Sequence, residues 1–542
     1  MTTNTRFQLT VAALVAAGTL GLRAQAPARS VASPWSVEFQ TSTTNASAKE
    51  HFVQGVTLMH LFMYQDAARE FQAAQKADPV FAMAYWGEAL TYYRPIWREY
   101  EPGPAAEAVQ RLGATPAARA AKAPTAREKA YVAALDVLYP SGELGSRLRN
   151  YPQANQSGQL RRYAEAMEAI ATAYPNDDEA LALWAVSRVV QFERTDAEMP
   201  ERMKTAALAA EVLRRRPNHP GAPRYFIQSV DDPVHADLGA TVSRLYIEKN
   251  PDGPEARHLP THMSTQLGLW KEMADLNWQA FELSMTWTKQ NGFKLQDLNN
   301  HDYGHLLTYA QYGYLQLGQY GKARAMIDRA RKDYEASGHA PEIASTLAGT
   351  IAQYVVEVRD AQQIAALRQL VDEARVPGAN LRYALALASA AVGDVARAVQ
   401  EAAALDTRTA SARIMRAELE AAVATAGGER ERALELLKGA AAVDLAQIYT
   451  HFGPPSPYKP PHEMYGESLL AAGRPVEALT AFQDGMRIYR RRTGLLLGAS
   501  RAAAAANQPA LAQKYAAELR EIWHDADGEV PALAEVRRST AQ

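Results

Sequence analysis

The chain contains no cysteine. Thiolate nucleophiles, disulfide exchange and cysteine-ligated metals are therefore excluded. It also lacks a charge excess: 58 Lys and Arg against 60 Asp and Glu give a formal net charge of -2. A polyanion-binding surface is not expected, and no nucleic-acid partner with it. β-Branched residues are sparse and alanine is abundant, which favours helix over sheet. HExxH, GxSxG and phosphate-cradling glycine loops are missing. The sequence thus offers no nucleophile, and its catalytic residues, if any, are unknown. After Leu22 no window is apolar for long enough to cross a bilayer.

The one long uncharged apolar run, Phe7 to Leu22, follows Arg6 and precedes Ala24-Gln25-Ala26. This reads as a signal peptide over residues 1–26, cleaved after Ala26, with an uncleaved anchor as the alternative. The expected location is periplasmic or secreted. Residues 27–45, rich in Ser, Thr, Ala and Pro, read as a flexible linker, and residues 528–542 as a frayed tail.

Between them, residues 46–527 read as helical hairpins. AKEHFVQGVTLMHLFM turns at Tyr64-Gln65 into DAAREFQAAQKADP. Gly55, Ala67 and Ala74 let two helices approach closely, Phe71 fills the seam and Pro79 closes the unit. A bulky residue and Gly, then Ala-x-x-x-Phe-x-x-Ala, then Pro, resembles the tetratricopeptide repeat. A well-matched unit recurs around Gly473, Ala478 and Phe482. Single hairpins cannot bury their apolar stripes, so neighbours stack. The expected fold is all-α: a tetratricopeptide-like alpha-alpha superhelix, or solenoid, with a concave groove.

Six of the twelve histidines fall between Asn218 and Tyr320: His219, His235, His258, His262, His301 and His305. On a helix, His301 and His305 share a face and suit one metal ion. Asn299 or Asn300 reads as their cap, and Gly304 leaves space beside them. His258 and His262 have the same spacing, but Pro260 lies between them. Either a helix starts near Leu259, or a longer helix kinks there. Asp232-Pro233 reads as a helix cap, which leaves Asp231 and His235 unassigned. Candidate metal ligands are therefore His258, His262, His301, His305, Asp232 and His235, for zinc, manganese or iron. Candidate ligand-binding residues are His219, Arg224, Gln228, Asp231, Tyr303 and Trp270. The alternative for each pair is histidines hydrogen-bonded inside a helix stack. For the aromatics it is interhelical packing, and for Arg224 a salt bridge.

The blocks NHPGAPRYFIQSVDDP, ARHLPTHMSTQLGLW and NNHDYGHLLTYAQYGYLQLGQY, with GPPSPYKPPHEMYGESLLAAGRPVEA, resemble a divergent family of bacterial tetratricopeptide-repeat proteins. The resemblance implies a helical fold and points to no particular reaction. It also implies that Gln228 stands where relatives commonly carry histidine; were that position a ligand, this member would bind differently or have lost binding. Two functions follow as expectations. One is an exported binding module for a protein, a peptide or a small-molecule ligand. The other is a metal-dependent enzyme, hydrolytic in type, with a His/Asp centre in the groove and a divalent metal such as zinc as cofactor.

Overall fold

The computed structural model describes residues 35–97, 99–140, 156–189, 191, 195, 197–249, 253–298, 300–374, 376, 378–528 and 530–538. The expected signal peptide, the first part of the linker, the Ser141-Gly142 turn, the Asn250-Pro251-Asp252 stop, Asn299 and the last four residues lie outside them. The described residues belong to one compact body, Ser33–Gln542.

The fold is all-α, built of antiparallel helical hairpins packed in series, as in a tetratricopeptide-like superhelix. Local chemistry sets the helix ends. Proline opens helices at Pro102, Pro116, Pro254, Pro260, Pro341, Pro461, Pro475 and Pro509, where its missing N–H is no loss. Asn45, Thr115, Thr125 and Thr409 cap others through their side-chain oxygens. Gly268 and Gly318, both at φ +67, end two central helices. The N–H of Leu269 reaches Ser264 O at 2.8 Å and that of Gln319 reaches Tyr314 O at 2.9 Å, the wrapped end that a left-handed residue permits.

The close-packed seam occurs twice. Phe71 is fully buried between Gly55 and Gly87, and a Cβ on Gly87 would lie 2.3 Å from its ring. Phe482 sits in the same way between Gly466 and Gly498, where a Cβ on Gly498 would lie 2.2 Å away. In both units the glycines lie sixteen residues before and after the phenylalanine. Gly498→Ala should therefore cost about 1–3 kcal/mol by overpacking, read as a lower urea midpoint with an unchanged slope.

The array also closes on itself. The Trp270 indole N–H donates to Arg491 O at 2.9 Å, and that of Trp523 to Gln316 O at 3.0 Å. Arg492, fully buried, pairs with Glu463 at 2.7 Å and Glu357 at 2.5 Å and donates to the Tyr312 hydroxyl at 3.0 Å. Near the other end, the Trp287 indole reaches Asp66 at 3.2 Å and the Trp97 ring stacks on His301. Contacts between neighbouring hairpins alone, as expected of a plain solenoid, are thus supplemented by ties across hundreds of residues.

Two expectations need correction. Residues 35–45 are not a flexible linker. Trp35, Val37 and Phe39 are buried, with Trp35 against Tyr246 and Phe39 among Phe52, Trp86 and Tyr131. The segment has no regular secondary structure, and its burial alternates residue by residue, so the three apolar groups share one face. The tail is not frayed from 528 on: Val530, Leu533 and Val536 are buried, and Leu533–Arg538 is helical. The helical series is also interrupted by a two-stranded pairing, Tyr93–Arg94 with Glu99–Tyr100, before the helix Pro102–Leu112. No helix among the described residues is long and apolar enough to cross a membrane.

Candidate metal centre

His258 closes the short helix Pro254–His258, and Leu259 keeps helical angles (φ -53, ψ -44) into the helix Pro260–Leu267. Pro260 therefore sits at the junction of two nearly continuous helices, and His258 and His262 retain a common face. Their Nε2 atoms lie 3.0 Å apart, both rings buried.

The other nitrogen of each ring is held by a fixed acceptor. His258 Nδ1 lies 2.6 Å from Asn277 Oδ1. The Asn277 amide nitrogen donates to Met273 O at 2.7 Å and Thr261 Oγ1 at 2.9 Å, so the atom facing His258 is the oxygen. His262 Nδ1 lies 2.7 Å from Asp231 Oδ2. Gln266 in turn donates to Asp231 Oδ1 at 3.2 Å and to His451 O at 2.5 Å. Both Nδ1 atoms are thus N–H donors, and two neutral rings would point lone pairs at each other across 3.0 Å. Burial, then the neighbouring His305 and His262, hold His258 well below the ordinary histidine range, so that ring does not supply a proton to the gap. A metal ion placed there would satisfy both lone pairs. Two imidazole nitrogens on a tetrahedral zinc, at bonds of about 2.0–2.1 Å, stand about 3.3 Å apart. Carboxylate or amide support of the outer nitrogen is what metal-bound histidines use.

His305 completes a set of three, with one ligand atom per residue and all of them within 4.8 Å of one another. It stands at the end of a π-turn, His301–His305, in which its N–H bonds Asn300 O at 2.8 Å. Such turns are frequent at functional sites. Its ring lies 4.5 Å from those of His258 and Tyr309, centroid to centroid. Burial, then His262 and His301, hold His305 well below the ordinary range too. His305 also lines a cavity of about 350 Å³, together with Tyr309, Asp444 and residues of the loop from Thr450 to Ser456, whereas His258 and His262 are not among its lining residues. Three imidazoles would leave the fourth position of a tetrahedral ion to another ligand.

The remaining candidates are placed elsewhere. His301 stacks on Trp97, ring centres 5.2 Å apart at 18°, and stands outside the set of three. Gly304 does not open a space, since Thr346 Oγ1 fills it, 2.3 Å from where a Cβ would stand. Asp232 caps the following turn by accepting from Val234 and His235 N–H groups, and its carboxylate holds His235 Nδ1 at 2.9 Å. Those two form a separate pair because the cap already uses the carboxylate. Asp231 supports the centre through His262. Arg224 is fully buried over the Phe62 ring and paired with Glu255 at 2.8 Å. The half-buried Gln228 accepts from Arg202 through its carbonyl. Tyr303 is buried with its hydroxyl 2.9 Å from Asp333, and Trp270 is buried against Tyr312. These are packing and pairing roles.

His219 belongs to a second buried cluster with His60 and Glu179. Here every proton has a place. His219 Nδ1 accepts from the N–H groups of Gly221 and Ala222, so its Nε2–H faces Glu179 Oε1 at 3.2 Å. His60 Nε2 faces Glu179 Oε2 at 2.8 Å, and its Nδ1 meets the Tyr225 hydroxyl at 2.6 Å. Nothing is left for a metal to satisfy, and the cluster reads as structural. Burial holds His60 below the ordinary range despite Glu179, while Glu179, for all its burial, is held well below the carboxylate range by His219 and His60. Both shifts have one sign for stability, in different windows: the unfolded chain binds a proton that the folded chain refuses below pH about 6.5 for His60 and only below about 4.5 for Glu179. The urea midpoint should fall as the pH drops from 7.5 to 5.5, with His60 contributing up to about 1.4 kcal/mol per pH unit.

Sequence reasoning missed Asn277, Gln266 and Asp444. A signal existed for Asn277, which shares a helical face with Met273, Ala274, Ala280 and Phe281 in the helix Trp270–Gln290. No family model and no curated protein matches the chain. Among solved structures it is similar to Naa15/Naa10 bound to HypK-THB, with 12% identity over 92% of this chain and 86% of that one and a TM-score of 0.29. It is likewise similar to the Cut9–Hcn1 hetero-tetramer of the APC/C, with 11% identity, 92% and 78% covered and a TM-score of 0.29. The P58(IPK) TPR domain is a third, with 13% identity, 92% and 99% covered and a TM-score of 0.21.

Proposed function

We propose that this chain is a metal-dependent protein in which His258, His262 and His305 hold a zinc-class divalent ion, beside a small-molecule cavity that His305 also lines. The observation that carries the reading is the pair of Nε2 atoms at 3.0 Å whose Nδ1 atoms are both committed as donors. A bound ion would lower the pKa of a coordinated water or polarise a coordinated oxygen, as hydrolytic metal sites do. The apolar run Phe7–Leu22 and the absence of cysteine support export to the periplasm or beyond. The test is calorimetric zinc binding to chelator-stripped protein. Wild type should bind one ion per chain, and Asp231→Asn should weaken it about 10–100-fold, the cost of losing an outer partner. Equal affinity in the variant, or no zinc binding at all, would sink the reading.

A protein or peptide partner is a second reading, supported by the helical-repeat architecture, whose stacked hairpins offer extended surfaces. Cross-linking of the purified chain in an extract of its own compartment tests it, and a failure to retain any partner counts against it.

A further inference from the structure

The loop that walls the cavity is also tied to the centre. His451, Phe452, Gly453, Pro454 and Ser456 line the cavity, and two of the loop's carbonyls accept from side chains that belong to the centre. Gln266 Nε2 donates to His451 O at 2.5 Å and to Asp231 Oδ1 at 3.2 Å, and Asp231 is the carboxylate behind His262. The Tyr309 hydroxyl donates to Phe452 O at 2.9 Å. Tyr309 stands one helical turn after His305. Its ring centre lies 4.5 Å from that of His305, 5.1 Å from that of His258 and 5.5 Å from that of His262. One side chain thus packs beside all three candidate ligands and bonds the cavity wall. Gly453 meets this contact closely, since a Cβ there would lie 2.3 Å from the Tyr309 hydroxyl oxygen. The two ends of the loop have anchors of their own: His451 Nδ1 lies 3.3 Å from the Tyr489 hydroxyl, and Ser456 Oγ lies 3.1 Å from Ser411 Oγ. The Phe452 side chain is 45% exposed.

We infer that Tyr309 couples the ion to the loop: a metal on the three histidines fixes the Tyr309 ring, and its hydroxyl then holds Phe452 and Gly453 against the centre and completes the cavity wall. This inference rests on the metal reading above. In the metal-free chain two Nε2 lone pairs oppose each other across 3.0 Å, and the rings relieve that repulsion by moving apart. The tyrosine ring packed beside them moves as well, and its hydrogen bond is lost once the two oxygens part to about 3.6 Å. The ends of the loop stay anchored, so its middle is what opens. The coupling is reciprocal: whatever the latched loop adds to metal affinity, the metal adds to the latch. The cavity is then complete only in the loaded chain, and a small molecule that enters it binds after the ion.

The absence of cysteine supplies the test. Phe452→Cys in the full chain gives a single thiol at an exposed position for a nitroxide label. Its mobility is read by electron paramagnetic resonance before and after zinc is added, with zinc content measured on the same samples. Zinc should convert more than about half of the signal from mobile to immobilised. A Phe452→Cys/Tyr309→Phe chain keeps the ring beside the histidines and loses only the hydroxyl. It should still bind zinc, with affinity lowered about 2–10-fold, the worth of one net hydrogen bond, and its label should stay mobile. Gly453→Ala, which presses a methyl group against the hydroxyl, should act in the same way and repeats the test where Tyr309→Phe folds poorly. A label whose mobility zinc leaves unchanged, or changes equally with and without the hydroxyl, overturns the coupling and leaves the metal centre intact. A chain that takes up no zinc overturns both.

Discussion

A His258→Ala/His262→Ala chain should retain less than about a tenth of the zinc that wild type holds, measured by elemental analysis after dialysis against a weak chelator. Loss of one outer partner already costs about 10–100-fold in affinity, and this change removes two direct donors. The effect should exceed that of Asp231→Asn by orders of magnitude. It also leaves Asn277 Oδ1 and Asp231 Oδ2 without their imidazole donors, so the variant should lose stability as well, by about 1–3 kcal/mol for each buried group stranded. Helical content by circular dichroism separates the two effects. A folded variant without zinc supports the centre, whereas a folded variant that keeps a full equivalent places the metal elsewhere. His60→Ala or His219→Ala should leave zinc content unchanged, because that cluster satisfies its own protons.

Arg492→Met should be the most damaging single change to the fold, costing about 3–5 kcal/mol. The guanidinium has no exposure and bridges Glu357, Glu463 and the Tyr312 hydroxyl. Glu463 keeps Lys459 at 2.6 Å and Arg359 at 3.1 Å after the change, while Glu357 loses the cation that neutralises it. Burial alone would raise the Glu463 carboxyl, but Arg492, Lys459 and Arg359 hold it well below the carboxylate range, so the buried charge persists at neutral pH. Arg492→Lys should recover only part of the loss, since one ammonium cannot reproduce a planar fork reaching three acceptors. Urea unfolding with an unchanged slope reads both variants. A loss under about 1 kcal/mol for Arg492→Met would show that the closure of the array is not held by this charge.

The helical hairpins were legible because their signals are local. Phe71 with Gly55, Ala67 and Ala74, and the Gly268 and Gly318 turns, announce close packing and stops within a few residues. The buried segment at Trp35, Val37 and Phe39 was hidden by its Ser and Thr neighbours. Its two-residue alternation carried the message that composition did not. Half of the site was legible too: the four-residue spacing of His258 and His262 survives Pro260, because proline there opens a new helix in line with the old one. What spacing could not show is assembly across the chain. His305 joins that pair from another helix, while His301, its apparent partner, stacks on the distant Trp97. His219 looked like part of the same site and instead closes a cluster with His60 and Glu179, residues supplied by separate hairpins. Asp231 and Asp232 are adjacent in sequence, yet one supports a candidate ligand and the other caps a helix.

X-ray absorption at the zinc edge of the loaded chain is the most direct examination of the centre. Three imidazole nitrogens and one oxygen at about 2.0–2.1 Å, with the outer-shell scattering of histidine rings, are the expected result. A shell of six oxygens without imidazole scattering would contradict it, because carboxylates or water would then hold the ion and the facing Nε2 atoms of His258 and His262 would have no part in it.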